Sequence, residues 1–227
     1  MAKLILSAVL LLLTSVAASA DEIACGATVA SHDTGVLSDD LACDDSPAVL
    51  LEPEGRLDLR GHTIALRGDG AAIECIGGGC MIFSTSPDRA AIALDRSSDA
   101  YGVRAEGADP LLPALSVQNV DISGGRSGIY APGARVEVTV VSISGASDSG
   151  IVADELSGFN VAAIGNGRAG LSADSIGLEV ATVVSNHSAD VVSVDSAPSL
   201  GAYVTCDSSV DGLGVGAQSW NACSSER

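Results

Sequence analysis

Two sets of residues recur through the C-terminal half of this 227-residue chain at a nearly constant interval, and that interval limits what the chain can fold into. Ile122, Ile143, Ile164, Val184 and Val204 stand 21, 21, 20 and 20 residues apart. The next position is small or hydroxylic (Ser123, Ser144, Gly165, Ser185, Thr205), and the one after it is Gly124, Gly145, Asn166, Asn186 or Cys206. Six to eight residues past each member of the first set comes Gly128, Gly150, Gly170, Asp190 or Gly212, followed in turn by Ile129, Ile151, Leu171, Val191 and Leu213. Between these anchors the apolar residues alternate, as in Val136, Val138, Val140 and in Leu178, Val180, which is the period of a strand and not of a helix. Strands this short, broken by Gly, Ser, Asn and Asp, bury an apolar face only by stacking successive turns of one coil at about 4.8 Å. The spacing predicts a solenoid, with Asn166 laddered on Asn186 and Ser144 on Ser185 at its corners. Composition agrees: 47% of residues are hydrophobic but only 3% aromatic, with 26 glycines, so the core is aliphatic and closely spaced.

The first twenty residues read as a segment of another kind. Lys3 precedes an apolar run from Leu4 to Val16, and Ala18-Ser19-Ala20 supplies the small residues accepted by signal peptidase. A run of about 13 apolar residues falls short of the ~20 that cross a bilayer, so 1–20 is expected to be a signal peptide and the mature protein to have no membrane span. Cys25 lacks the aliphatic residue of a lipobox, because Glu22 stands there. Lys3 is the only lysine, so cleavage takes the net charge from −18 to −19 and excludes Schiff-base chemistry. Such a charge also excludes the phosphate backbone of nucleic acid as a partner. All six cysteines follow Ala20. An even count behind a signal peptide reads as three disulfides in an oxidising compartment, secreted or periplasmic. Six cysteines allow 15 pairings. Proximity favours Cys25 with Cys43, Cys75 with Cys80, and Cys206 with Cys223. The expected layout is a signal peptide over 1–20, an N-terminal cap over 21–56, coils over 57–205 and a C-terminal cap over 206–227.

Upstream the period loosens. Leu94, followed by Gly102 and Val103, reads as a further rung, with Asp109-Pro110 and Leu112-Pro113 in an outward loop before Leu115. Earlier still comes the string Leu57-Asp58-Leu59-Arg60-Gly61-His62-Thr63-Ile64. Together with the preceding Cys25 to Cys43 segment and the later I-S-x-x-x-S-G-I repeats, it resembles the N-terminal part of right-handed parallel β-helix proteins of the pectate-lyase-like superfamily, with Arg60 where Asn is usual. The resemblance implies an all-β fold, a right-handed parallel β-helix solenoid of about seven to eight coils with disulfide-stabilised ends. It implies no single activity, because the superfamily holds pectate lyases, polygalacturonases, alginate epimerases and non-catalytic surface proteins.

The chemical signatures of those enzymes are missing: the chain has no D-P-H-D, no G-H-G or R-I-K, and no R-x-P-x-x-R. Two constellations remain. Arg126, Asp148 and Arg168 share one offset, two residues before Gly128, Gly150 and Gly170, and His187 falls one place earlier on the next coil. A catalytic site would use Asp148, Arg168 and His187 as base, cationic clamp and acid; the structural alternative is an exposed ion-pair ladder. Asp154 and Asp174 each lie four residues past an anchor, with Glu155 and Asp195 nearby, and stacked carboxylates either bind calcium or form a solvated acidic edge. His62 is expected to hydrogen-bond a turn, and His32 to lie in the cap. Asn186-His187-Ser188 fits a glycosylation sequon, although a ladder position suits Asn186 equally. For sugar stacking the mature chain offers Phe83, Tyr101, Tyr130, Phe159, Tyr203 and Trp220, with Tyr130 expected to face outward. The functional expectation is a secreted, non-catalytic or weakly catalytic scaffold that meets a polysaccharide or cell-surface component. The alternative is a small polysaccharide lyase or epimerase acting on uronic-acid glycans.

Overall fold

A computed structural model describes residues 21–106, 115–213 and 216–223. The expected signal peptide and the loop at Asp109-Pro110 and Leu112-Pro113 lie outside the described residues. Within them the chain is all-β, without a helix, and winds as a parallel β-solenoid of about eight turns. Each turn contributes in order to three ladders. Sheet A runs through 49–51, 73–75, 103–104, 129–131, 151–153, 171–173 and 191–193; sheet B through 56–58, 81–83, 116–118, 136–139, 156–159 and 176–178; sheet C through 64–66, 92–94, 120–123, 141–144, 161–164 and 181–183. Residues 27–29, 34–36 and 41–43 already belong to these ladders, ahead of Leu57.

The core is the inward column of each sheet. Val49, Ile73, Val103, Ile129, Ile151, Leu171 and Val191 stack in sheet A, all of them fully buried. Leu57, Ile82, Val117, Val138 and Leu178 lie inward in sheet B. Fully burying one such side chain stabilises by about 1.5–3 kcal/mol, so stacking replaces the single large core of a globular domain. Just before the sheet A column, Gly128, Gly150 and Gly170 pack against one another. A Cβ on Gly150 would come within 2.5 Å of the Gly170 carbonyl oxygen, which only glycine tolerates.

The sheet C column differs from the periodicity reading by one residue. Ile122 pairs with Ile143 as expected, but Ile143 pairs with Ala163, and Ile164 faces solvent, 40% exposed. The buried column is Ile122, Ile143, Ala163, Val183, Cys206, while Val204 pairs with Ala181. A turn one residue shorter reverses every side chain, and Val161 entering inward fixes Ala163 inward whatever the size of its neighbour. For the same reason Ser144 faces Ile164 instead of laddering with Ser185. The last rung of sheet A also departs, since Ser209 and not Leu213 pairs with Val191.

Val136 and Val138 are buried, but Val140 is not the third member of that alternation. It sits at the corner between sheets B and C with φ +57°, in the company of Asn119 (+57°) and Asn160 (+56°). Left-handed backbone suits asparagine and strains a β-branched residue. Val140→Asn should therefore raise the stability of the fold by about 1 kcal/mol, read as a higher urea midpoint.

The three disulfides are Cys25–Cys43, Cys75–Cys80 and Cys206–Cys223. The first and last lie near the two ends of the solenoid. At the C-terminal end the chain folds back: the Trp220 indole N–H donates to the Ser193 carbonyl at 2.8 Å, and Val210 bridges Ser219 in antiparallel sense. Unpaired strand edges are thereby covered.

Candidate functional site

On the outer face of sheet B, Met81, Ser116, Glu137, Ser157, Gly177 and Ser199 form one column, and Gln118, Thr139 and Phe159 form the next. Alternation along each strand sends these side chains to solvent because Val138 and Leu178 between them point inward. Small residues at 157 and 177 leave a hollow of about 420 Å³, bounded by Glu137, Thr139, Phe159, Glu179 and Ser199. A Cβ on Gly177 would meet nothing within 4 Å, so its floor is open space. Phe159 is 47% exposed at its side. A second hollow of about 360 Å³, lined by Glu54, Met81, Ser116 and Gln118, adjoins the first at Glu137. Together they make a groove running along the solenoid axis. The Arg135 guanidinium lies 3.4 Å from Glu137 and 4.0 Å from Glu155 on its rim. An exposed aromatic, hydroxyls and carboxylates on a rigid sheet suit an extended polar chain better than a compact apolar ligand.

Sequence reading singled out neither Glu137 nor Glu179. Phe159 stood among the six aromatics, but its outward direction depends on register. The signal available was the alternation through Glu137, Val138, Thr139, and it becomes informative only once neighbouring turns are aligned.

Asp148, Arg168 and His187 do lie on successive turns. Asp148 N–H donates to the Arg126 carbonyl, Arg168 N–H to that of Asp148, and His187 N–H to that of Asn166. The Arg168 guanidinium is 3.8 Å from the Asp148 carboxylate, on a side chain 54% exposed. Arg126 instead lies 6.0 Å over the ring of Tyr101, which packs on Tyr130 at 4.8 Å. Tyr130 is accordingly partly covered. This corner joins sheets C and A and is the one opposite sheet B, so the three groups do not border the groove.

Asp154, Asp174 and Asp195 are stacked too, at the corner between sheets A and B: Asp174 N–H donates to the Asp154 carbonyl at 2.9 Å, and Asp195 N–H to that of Asp174 at 3.0 Å. Among the described residues, no group of three or more His, Cys, Asp and Glu converges to hold a metal ion. A hydrogen bond shared with the Asp154 carboxyl raises the Asp174 pKa above its ordinary value of 3.8, helped by slight burial and by the charges of Asp195 and Asp154. Between the ordinary value and the raised one, the folded chain keeps a proton that the unfolded chain has released. This contribution to stability is complete below 3.8 and is lost as pH rises through the raised folded value. Asp174→Asn should be more stable than the parent at neutral pH, with the difference shrinking on acidification and on adding salt, as thermal melts across a pH series will show.

The remaining polar candidates are structural. Asn186 donates its side-chain amide to Ala163, Val184 and Asp190, and accepts from the Asn166 amide at 2.9 Å, so the expected ladder forms. Asp58 of the Leu57–Ile64 string is 6% exposed and accepts from Arg60 N–H, Thr85 N–H and the Thr85 hydroxyl. His62 N–H closes a turn on the Leu59 carbonyl, its ring 3.5 Å from Asp40, while His32 pairs with Glu54 at 2.8 Å. None of the helices that would be needed to cross a membrane exists among the described residues. Comparison with protein-family models, with curated proteins and with solved structures returns no match.

Proposed function

We propose that this chain is a secreted or periplasmic β-solenoid of the pectate-lyase-like kind that binds an extended polysaccharide, free or on a cell surface, along sheet B without transforming it. The observation that carries the reading is the axial groove on that sheet, with Phe159 exposed beside a floor of Ser157 and Gly177. Solenoid turns repeat at about 4.8 Å, which offers a linear polymer equivalent contacts on successive rungs. The pyranose ring of a sugar presents C–H groups to an aromatic face and hydroxyls to Ser157, Ser199 and Thr139. Binding is favoured over lyase or epimerase chemistry because the groove and the Asp148, Arg168, His187 corner lie on opposite sides of the coil. A base and a cationic clamp that do not border the bound sugar cannot take its proton.

The test is calorimetry of the mature protein against a panel of linear glycan oligomers. Phe159→Ala should weaken binding by about tenfold or more, the loss expected for one apolar contact, without moving the denaturation midpoint. Absence of binding across the panel would overturn the reading. Ultraviolet absorbance from an unsaturated uronate, lost in His187→Ala, would replace it with the lyase alternative.

A further inference from the structure

We infer that the sheet B groove selects a glycan carrying free amino groups, a glucosamine-type polymer, over neutral and uronic-acid chains; this rests on the carbohydrate reading above. Carboxylates stand at both sides of the hollow, Glu137 and Glu179, and its remaining polar lining is Thr139, Ser157 and Ser199. Among the described residues no Lys or Arg lines either hollow. Arg135, on the rim, is shared between Glu137 and Glu155, so among the described residues the three acids Glu137, Glu155 and Glu179 outnumber it. Among the described residues Glu179 has no ion-pair partner, and it is exposed. A uronate chain would bring its own carboxylates against these acids, on a protein whose net charge is already −18 before Lys3 is removed. An ammonium on a sugar ring stacked at Phe159 would instead donate charge-assisted hydrogen bonds to Glu179, which has no ion-pair partner among the described residues, and to Glu137, whose Arg135 is shared with Glu155. The chemistry that recognises the ligand is thus one aromatic platform plus carboxylates on its two flanks.

The experiment uses three β-1,4-linked oligomers of equal length, of glucosamine, glucose and mannuronate, titrated into the mature protein at a pH where the amines are charged. The glucosamine oligomer should bind about tenfold or more tighter than the glucose oligomer, and mannuronate weakest. Salt raised from about 50 mM to about 500 mM should weaken the first severalfold and leave the second nearly unchanged. An acidic protein also attracts polycations without a site, so two variants decide the location. Gly177→Leu keeps the net charge, has room for its side chain and fills the hollow; it should abolish the binding of glucosamine oligomers. Glu179→Gln should remove most of the preference over glucose. Glucosamine binding that survives Gly177→Leu, or glucose or mannuronate bound as tightly as glucosamine, overturns the inference and leaves the carbohydrate reading standing. If none of the three oligomers binds, that reading falls as well.

Discussion

Replacing Asp58 with alanine should destabilise the fold by about 3 kcal/mol or more, the largest effect expected of a single polar substitution outside the C-terminal ladder. The carboxylate is nearly buried and accepts three hydrogen bonds, from the backbone N–H groups of Arg60 and Thr85 and from the Thr85 hydroxyl at 2.8 Å. Arg60 and Thr85 are themselves exposed, so water can reach these donors once the carboxylate is gone; the loss is that of three hydrogen bonds to a charged acceptor, each contributing at least about 1 kcal/mol. Alanine also frees the tight turn that the carboxylate holds, in which Arg60 (φ +48°) and Gly61 (φ +83°) are both left-handed. Left-handed backbone at position 60 is the physical reason that asparagine suits this turn. The Arg60 guanidinium offsets some of that strain by lying 3.8 Å from the same carboxylate. Asp58→Asn retains an acceptor and should recover part of the loss. Equilibrium urea denaturation of the three proteins checks the order parent, Asn, Ala; equal midpoints for parent and Ala would show that the turn does not depend on the carboxylate.

Asn186→Ala should cost about 3 kcal/mol as well, and the loss should be local. The Asn186 side chain lies at the middle of a polar chain through the solenoid. Ala146 N–H donates to Asn166, Asn166 donates both backbone and side-chain N–H to Asn186, and Asn186 donates to the buried Asp190, whose other oxygen accepts from Asp207 N–H at 2.7 Å. Removing the central amide takes one of three hydrogen bonds from a carboxylate that is 2% exposed, which keeps those from the Asn186 and Asp207 backbone N–H groups, and it leaves both Asn166 donors unpaired. Because each turn contacts only its neighbours, hydrogen exchange should accelerate in 189–206 and stay unchanged in 49–83. Uniform acceleration would mean that the ladder stabilises the whole solenoid as one unit. The same commitments bear on the Asn186-His187-Ser188 sequon, whose acceptor nitrogen is occupied by three hydrogen bonds in the folded chain.

Much of the scaffold was legible because the physics that sets it is local. Alternation at period two identified strands, the recurrence near twenty residues implied stacking, and proximity along the chain matched the three disulfides. The Asn166 and Asn186 ladder followed from the same spacing. The stacking of Arg126, Asp148 and Arg168, and of Asp154, Asp174 and Asp195, was also visible, since equal offsets from an anchor place residues on successive rungs. Those offsets say nothing about what a rung faces.

What sequence alone determined about this protein, then, is that short apolar strands recur at a spacing that only a stacked coil can bury. Tertiary structure decided which residues of each strand point in and which sheet carries a hollow. Ala163 is buried and Ile164 exposed because the turn from Ile143 to Ala163 is one residue shorter than the turn before it. Val140 takes a left-handed corner, so the chain bends there instead of continuing its alternation. Glu137, Ser157, Phe159 and Gly177 come from three different turns, and they share a groove only once the ladder registers are fixed. A period of two makes side-chain direction depend on the parity of every residue in the corners, where spacing is least regular. Parity is settled by packing the whole turn on its neighbour, and no local pattern carries that information.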